Sequence, residues 1–337
     1  MEEKEAQIEA LRKQIEEMAA QYTAQKEQRK KERTFHAESI TEFTTRKRFI
    51  DVDLRLMGWT LTGPQADVQE EYPVDGMAGV VGQKGFCDYV LFGKDGLPLA
   101  VVEAKRTSRD PNDGRKQVSL YAECLERKFG RRPIMFTTNG FETYFWDDQS
   151  GPQRKVSGIF SKDDLQKLMN RRDERLDLTN IAIDDKITDR YYQKEAIRAV
   201  CDHIQKGLVM APGTGKTRTA ASLTDVLSRG KWVTNILFLA DRTALVKQAK
   251  DGFKNYLPDM SLCNLCLNKD DRNARIVFST YPTILNAIDD TQSKDGRQLF
   301  TPAHFDLIII DESHRSIFKK YRAIFEYFDA QIVGVTA

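Results

Sequence analysis

The chain has 337 residues, room for two domains at about 150 residues each. Hydrophobic residues make up 40% and glycine adds 20 positions, a composition that supports real cores and excludes a disordered chain. The 52 Lys and Arg stand against 50 Asp and Glu, a formal charge of +2, so any nucleic-acid surface must be a local patch and not a bulk basic excess. The longest apolar runs, such as Leu307-Ile308-Ile309-Ile310, fall far short of the ~18 residues that cross a bilayer. The opening MEEKEAQIEA is acidic and polar, unlike a signal peptide. A cytoplasmic setting without membrane contact is expected. Cys87, Cys124 and Cys201 are scattered, and Cys263 and Cys266 form a lone CxxC with no second pair and no nearby histidine. Zinc usually needs four ligands, so reduced thiols are expected, with no disulfide and no structural metal.

In chain order, residues 1–33 carry Ile8, Leu11, Ile15, Met18 and Tyr22 at steps of three and four, the seam of a helical arm. The seam lasts about two heptads before KEQRKKER, which leaves open a solvated arm or a docking arm for a partner subunit or DNA. Residues 34–165 read as a first compact domain. It opens with the amphipathic helix FTTRKRFIDVDLRLMG, whose Phe49, Ile50, Val52, Leu54 and Leu56 are apolar and which Gly58 closes. Two strands follow, joined at Asp95-Gly96, then a helix over 114–128 ended by Gly130, then strands over 133–138 and 141–146 joined at Asn139-Gly140. Both dipeptides favour two-residue turns because they tolerate positive φ. Residues 166–186, with NRRDERLDL, are charge-rich and read as a connector. From 187 to 337, strands at 208–211, 235–240, 275–280, 307–311 and 331–336 alternate with helices, the pattern of a parallel doubly wound α/β sheet.

The segment LVMAPGTGKTRTAASL carries the most specific chemistry. An apolar strand leads into Gly213-Thr214-Gly215-Lys216-Thr217 and a helix follows. Glycines let the backbone wrap phosphates, and consecutive N–H groups at a helix N-terminus attract their charge. Lys216 is suited to neutralise the β- and γ-phosphates, and Thr217 offers a hydroxyl to Mg²⁺. Met210 replaces the usual first glycine, as in helicases whose loops read AxxGTGKT; a chance glycine-rich turn is the competing explanation. Downstream, a buried aliphatic strand delivers Asp311 and Glu312 at its C-terminal end, where open α/β sheets bind ligands. Asp311 is expected to hold the Mg²⁺ of ATP and Glu312 to polarise water, while His314 completes a DExH pattern and is expected to couple phosphate to DNA. RYYQKEAIRAV resembles the element by which superfamily-two helicases read adenine, which implicates Gln193; an exposed glutamine at a helix start is the alternative. Residues 238–242, 279–282 and 335–337 resemble the coupling motifs of the first RecA-like lobe of such motors.

The first domain holds a quieter set. A two-residue turn at Asp95-Gly96 sets Asp88 directly across from Glu103, with Cβ atoms about 4.5–5.5 Å apart. Lys105, two residues on, shares the face of Glu103. Adjacent carboxylates repel unless a cation lies between them, and Mg²⁺ meets that need. A structural salt-bridge cluster is the competing explanation. On the following helix Gln117 and Tyr121 are four apart and share a face, although Tyr121 could simply fill the core beside Val118, Ala122 and Leu125. The arrangement D…ExK…QxxxY resembles the PD-(D/E)xK nucleases, in the branch where QxxxY lies near metal and DNA; Cys87 stands at the variable proline position. That resemblance implies Asp88 and Glu103 as ligands of the nuclease Mg²⁺, and Glu42 on the first helix is a further acidic candidate.

A nuclease of this kind followed by a DExH motor resembles the restriction (motor) subunit of type I restriction–modification enzymes, from about residue 38 onward. Type III restriction subunits carry the nuclease after the motor. The resemblance implies an N-terminal PD-(D/E)xK domain before a RecA-like P-loop lobe, Mg²⁺-dependent cleavage of double-stranded DNA, and ATP-driven translocation. It implies a methyltransferase subunit and a sequence-specificity subunit as partners. Only the first motor lobe is expected within these residues, so Mg²⁺-ATP binding without efficient hydrolysis is expected. Two other readings are a stand-alone ATP-dependent DNA helicase with a non-cutting, DNA-binding front domain, and a non-catalytic remnant that docks through residues 1–33.

Overall fold

The computed structural model describes residues 42–77, 84–206, 216–267, 273–289, 297–311 and 320–335, and every structural statement concerns these. The arm at 1–33 and the strand expected at 208–211 lie outside them. The first helix, α1, runs through Glu42–Thr45, a π-helical turn at Arg46–Ile50, and Asp51–Leu56. Ile50 and Leu54, one turn apart, are buried, whereas Val52 of the expected apolar set faces solvent. Gly58 ends the helix at φ +86°, a conformation that a Cβ disfavours. Trp59 then pins the chain by donating its indole N–H to the Phe160 carbonyl at 2.9 Å.

Six strands form the first sheet in sequential order: β1 (Val68–Asp75), β2 (Lys84–Phe92), β3 (Pro98–Ala104), β4 (Ile134–Thr138), β5 (Thr143–Trp146) and β6 (Arg154–Val156). All neighbours are antiparallel except β3 and β4, which α2 (Arg115–Phe129) joins as a parallel crossover. Strand β3 is buried along its whole length, which is why PLAVVEA reads as an almost unbroken apolar run. Helix α1 covers one face, where Ile50 and Leu54 meet Tyr89, Leu91 and Val102. Helix α2 covers the other, where Val118, Tyr121 and Leu125 meet Cys87, Val90 and Val101. Gly130 closes α2 in the left-handed region at φ +74°, as expected.

Neither expected two-residue turn forms. Between β2 and β3 the loop spans 93–97, with the Gly93 amide donating to the Leu97 carbonyl, Asp95 accepting from the Leu97 amide, and Arg131 binding Asp95. Between β4 and β5 the loop spans 139–142, because the Asn139 side chain accepts from the amides of both Phe141 and Glu142. A side chain able to mimic the backbone thus widened a turn that glycine alone would have left tight.

The second sheet is five-stranded and wholly parallel, in the order β11-β10-β7-β9-β8. Its strands are β7 (Ile236–Ala240), β8 (Leu262–Asn264), β9 (Ile276–Thr280), β10 (Leu307–Asp311) and β11 (Gln331–Val335). Helices α4 (Tyr191–Gln205), α5 (Lys216–Arg229) and α6 (Thr243–Tyr256) pack on one face; α7 (Tyr281–Asp289) and α8 (Arg322–Tyr327) pack on the other. Four of the expected strands stand within a residue of their places. The short strand β8 escaped notice, since Leu262-Cys263-Asn264 is too brief for a pattern. Cys263 is buried, Cys266 is half-buried, and none of the five cysteines is in a disulfide. No helix among the described residues is long and apolar enough to cross a membrane.

The segment read as a charged connector is instead helical through α3 (Lys162–Glu174), capped by the Ser161 hydroxyl at the Asp164 amide. Several of its charges, among them Lys167, Arg171 and Arg172, face inward onto partners, while Asp163, Asp173 and Glu174 face solvent. Arg171 forks onto both oxygens of Asp306, Lys167 reaches the same carboxylate at 2.9 Å, and the amides of Thr234 and Asn235 donate to it at 2.7 and 2.9 Å. Arg172 likewise pairs with buried Asp147 at 2.7 Å. Burial works against the charged form of Asp306, yet Lys167, Arg171 and the Asn235 amide hold its pKa down to about 2. A carboxyl depressed below its ordinary 3.8 stabilises the fold fully above about pH 4 and progressively less as the pH falls toward 2. Asp306→Asn, which strands two buried cations, is expected to cost about 3–5 kcal/mol in chemical denaturation near neutral pH. The gap between variant and parent should close across pH 4 to 2; a gap that persists there would mean the loss is not ionic.

Candidate functional site

The ladder between β2 and β3 keeps the expected register, with Tyr89 opposite Val102, Val90 opposite Val101 and Leu91 opposite Ala100. A bulge at Leu91/Phe92 absorbs the longer loop and restores the alignment. The paired residues stop one step short of Asp88 and Glu103. There the Asp88 carboxylate replaces a backbone acceptor: its Oδ2 takes the Ala104 amide at 2.7 Å. Strands that separate in this way leave a cleft lined by side chains.

Glu103 lies at the floor of that cleft, 2% exposed. Its Oε1 accepts from the Lys105 ammonium at 2.5 Å, and its Oε2 is buried with no hydrogen-bond partner. Lys105 also donates to Gln117 Oε1 at 3.3 Å, and the Gln117 amide donates to the Tyr121 hydroxyl at 2.6 Å. The five residues expected in the nuclease set are therefore brought together. The Tyr121 ring packs in the α2 core, as the core-filling alternative expects, and its hydroxyl ends the polar chain by accepting from Gln117. Glu42 lies near enough to repel both Asp88 and Glu103.

Electrostatics mark the cleft as short of positive charge. Burial first, then Asp88, push the Glu103 pKa up to about 8, with Lys105 only partly opposing them. Burial also raises Asp88, against the pull of the Ala104 amide and Arg46. Tyr121 is pushed up to about 12, chiefly by burial. Among the described residues no three His, Cys, Asp or Glu side chains converge as a ready-made cation cage. A divalent ion would therefore use the two carboxylates and water, which suits Mg²⁺. The unpartnered Glu103 Oε2 is the coordination point that fits it.

Two contributors, Gly114 and Arg46, carry no signal that the sequence reading used. Gly114 ends a 3-10 turn over Pro111–Gly114 and backs directly onto the site: a Cβ there would stand 2.8 Å from Glu103 Cγ and 3.1 Å from Lys105 Cε. Arg46 binds Asp88 Oδ1 at 2.9 Å and Glu71 at 2.8 Å. The amphipathic pattern of α1 does not single out Arg46; its spacing of four from Glu42 is the one local signal that could have.

Of the second group of expected residues, Asp311 stands at the C-terminal edge of the parallel sheet. Gly213, Thr214, Gly215, Glu312 and His314 lie outside the described residues, as does the side chain of Lys216, which opens α5. Thr217 follows it in the first turn, half-buried, with its methyl group against Gly252 of α6. Asp311 ends β10 beside Val335 of β11, level with the edge where β7 ends at Ala240 and β9 at Thr280. The Tyr281 hydroxyl, buried without a hydrogen-bond partner among the described residues, has its pKa raised by burial and by the nearby carboxylates of Asp241 and Asp311. Gln193 is 3% exposed, which sets aside the exposed-glutamine alternative, and its Oε1 accepts from the buried Thr188 hydroxyl.

Comparison with known proteins adds a family. Residues 67–154 match the family model described as "Type I restriction enzyme R protein N terminus (HSDR_N)", and residues 186–337 match "Type III restriction enzyme, res subunit". The chain is 32% identical over 273 residues to the type I restriction enzyme EcoAI endonuclease subunit of Escherichia coli, covering 74% of this chain and 32% of that protein. It is 27% identical over 382 residues to the EcoKI endonuclease subunit of Escherichia coli K12, covering 86% and 32%. A solved fragment assigned as an HsdR subunit from Vibrio vulnificus YJ016 is 28% identical over 89% of this chain and 56% of that one; its TM-score of 0.34 is too low to argue from. The chain spans about a third of the length of the curated relatives it matches. A mixed sheet bearing the D…ExK set precedes a parallel sheet bearing the P-loop edge, in the order of the two family matches. The chain belongs to the R subunits of type I restriction enzymes, to whose N-terminal portion it corresponds.

Proposed function

We propose that this chain supplies the DNA-cutting centre and the first motor lobe of an ATP-dependent type I restriction endonuclease, with the cutting domain at 34–165 and the RecA-like lobe at 187–337. The observation that carries the reading is Glu103: a buried carboxylate with one oxygen on Lys105, the other unpartnered, and Asp88 beside it. Structural ion pairs buried this deeply normally satisfy both oxygens, and unsatisfied ones call for a reason. Asp88 and Glu103 would hold Mg²⁺, which when bound would stabilise charge on the scissile phosphate and acidify a water. Lys105 carries its positive charge at the cleft, where it would meet charge building on the phosphate. Gln117 holds the Lys105 ammonium, and Tyr121 holds Gln117, so the lysine cannot swing away from the carboxylates.

In the motor lobe, Gly213, Thr214, Gly215 and Lys216 would cradle the ATP phosphates, with Thr217 and Asp311 on its Mg²⁺. Glu312 would orient the attacking water, Gln193 would read adenine, and His314 would couple the phosphate to DNA. The partners in this reading are double-stranded DNA and the methyltransferase and sequence-specificity subunits, in the cytoplasm.

Glu103→Ala and Lys105→Ala should each lower Mg²⁺-dependent cleavage of plasmid DNA by about a hundredfold or more, in the chain assembled with its methyltransferase and specificity subunits. Cleavage at the parental rate by both variants would end the nuclease assignment. Lys216→Ala should abolish binding of a fluorescent ATP analogue and leave the unfolding midpoint unchanged; retained binding would remove the phosphate loop from the account. Gly114→Ala should reduce cleavage about tenfold or more through the crowding of Glu103 and Lys105, with the helix content of α2 intact by circular dichroism.

A further inference from the structure

Arg46 has no part in the proposed chemistry, yet it is the residue that closes on Asp88. It begins the π-helical turn of α1, a local widening of the helix that is frequent at functional sites. Its side chain is 9% exposed, and its guanidinium divides between two acids, Nη1 on Asp88 Oδ1 at 2.9 Å and Nη2 on Glu71 Oε1 at 2.8 Å. Glu71 makes that contact from a φ of +50°, a region that residues bearing a Cβ seldom adopt and that functional sites collect. Its position in the sheet is as unusual as its backbone. Glu70 pairs with Tyr89 and Tyr72 with Cys87, but Glu71 and Asp88 between them do not pair. Two carboxylates thus leave the ladder at the same step, and both end on one arginine.

The second oxygen of Asp88 already accepts the Ala104 amide, so the oxygen that faces Arg46 is the one with a mobile partner. A guanidinium and a divalent cation on one carboxylate oxygen would lie a few ångströms apart and repel strongly in a part-buried cleft. Glu71 offers the guanidinium an alternative, because it already holds the other arm and is itself largely exposed. We infer that Arg46 is a latch: it occupies Asp88 while the cleft lacks a divalent ion, and metal loading moves the guanidinium off Asp88 onto Glu71. The inference rests on the reading of Asp88 and Glu103 as metal ligands and adds to it a built-in competitor. Arg46 in this role is a positioning residue, acting on the metal through Asp88.

Titration calorimetry with Mg²⁺ alone, without DNA or nucleotide, tests the latch. Arg46→Gln should bind Mg²⁺ about tenfold more tightly than the parent, while Arg46→Lys, which keeps the charge, should stay close to it. A residue that merely braces the fold would give the opposite sign, so equal or weaker binding by Arg46→Gln overturns the inference. Asp88→Asn separates the two layers: if it binds Mg²⁺ like the parent, the metal reading itself falls, whatever Arg46 does. Should Arg46→Gln fail to fold, a crystal structure of the unmodified chain with Mn²⁺ decides. Arg46 withdrawn from hydrogen-bond reach of Asp88, with the ion on that carboxylate, supports the latch; the bond intact beside the ion refutes it.

Discussion

Glu103 and Asp306 are both buried carboxylate side chains, and the difference in their company organises what the chain can do. Glu103 lies at the bottom of a cleft with one lysine for company, and the neighbouring Asp88 pushes it further from ionisation. A sheet that buries like charges side by side must either neutralise them with a proton or receive a cation. Asp306 answers the same burial with five donors: two from Arg171, one from Lys167 and two backbone amides. The satisfied carboxylate serves the fold. The unsatisfied one marks the site.

The satisfied carboxylate also explains why the two sheets do not hang on a loose tether. Helix α3 leaves the first sheet and inserts Lys167 and Arg171 beside Asp306, one residue before β10 begins. The same strand ends five residues later in Asp311 at the C-terminal edge of the parallel sheet. Arg154 of β6 forks onto Asp329, and the Ser157 hydroxyl donates to the Tyr327 carbonyl, so the contact extends beyond one ion pair. Charges that a composition count assigns to solvent are thereby spent on the junction.

Local geometry around Glu103 depends on departures from regular sheet structure. The bulge at Leu91/Phe92 keeps β2 and β3 in register across a five-residue loop. The separation beyond Tyr89 and Val102 frees Asp88 to cap Ala104, and the break at Glu71 lets Arg46 in. Gly114 gives Glu103 and Lys105 the space they occupy. Each is a small irregularity; the bulge lies at the hairpin end of β2, and the others border the cleft.

The sequence alone determined the order of the two sheets, four of the strands in the parallel sheet and five members of the acidic cleft, Asp88, Glu103, Lys105, Gln117 and Tyr121. Those features are written in patterns a few residues long: aliphatic runs ending in carboxylates, a spacing of two from Glu103 to Lys105, a spacing of four from Gln117 to Tyr121. Tertiary structure alone decided which charges are internal. Whether Arg46, Glu71, Lys167 or Arg171 faces water depends on partners between 25 and 139 residues away, such as Glu71 for Arg46 and Asp306 for Lys167. Turn widths belong with them, because Asn139 and Asp95 bind backbone amides that a dipeptide pattern does not register. Periodicity reports the direction in which a side chain leaves its own element; only packing supplies what it meets there.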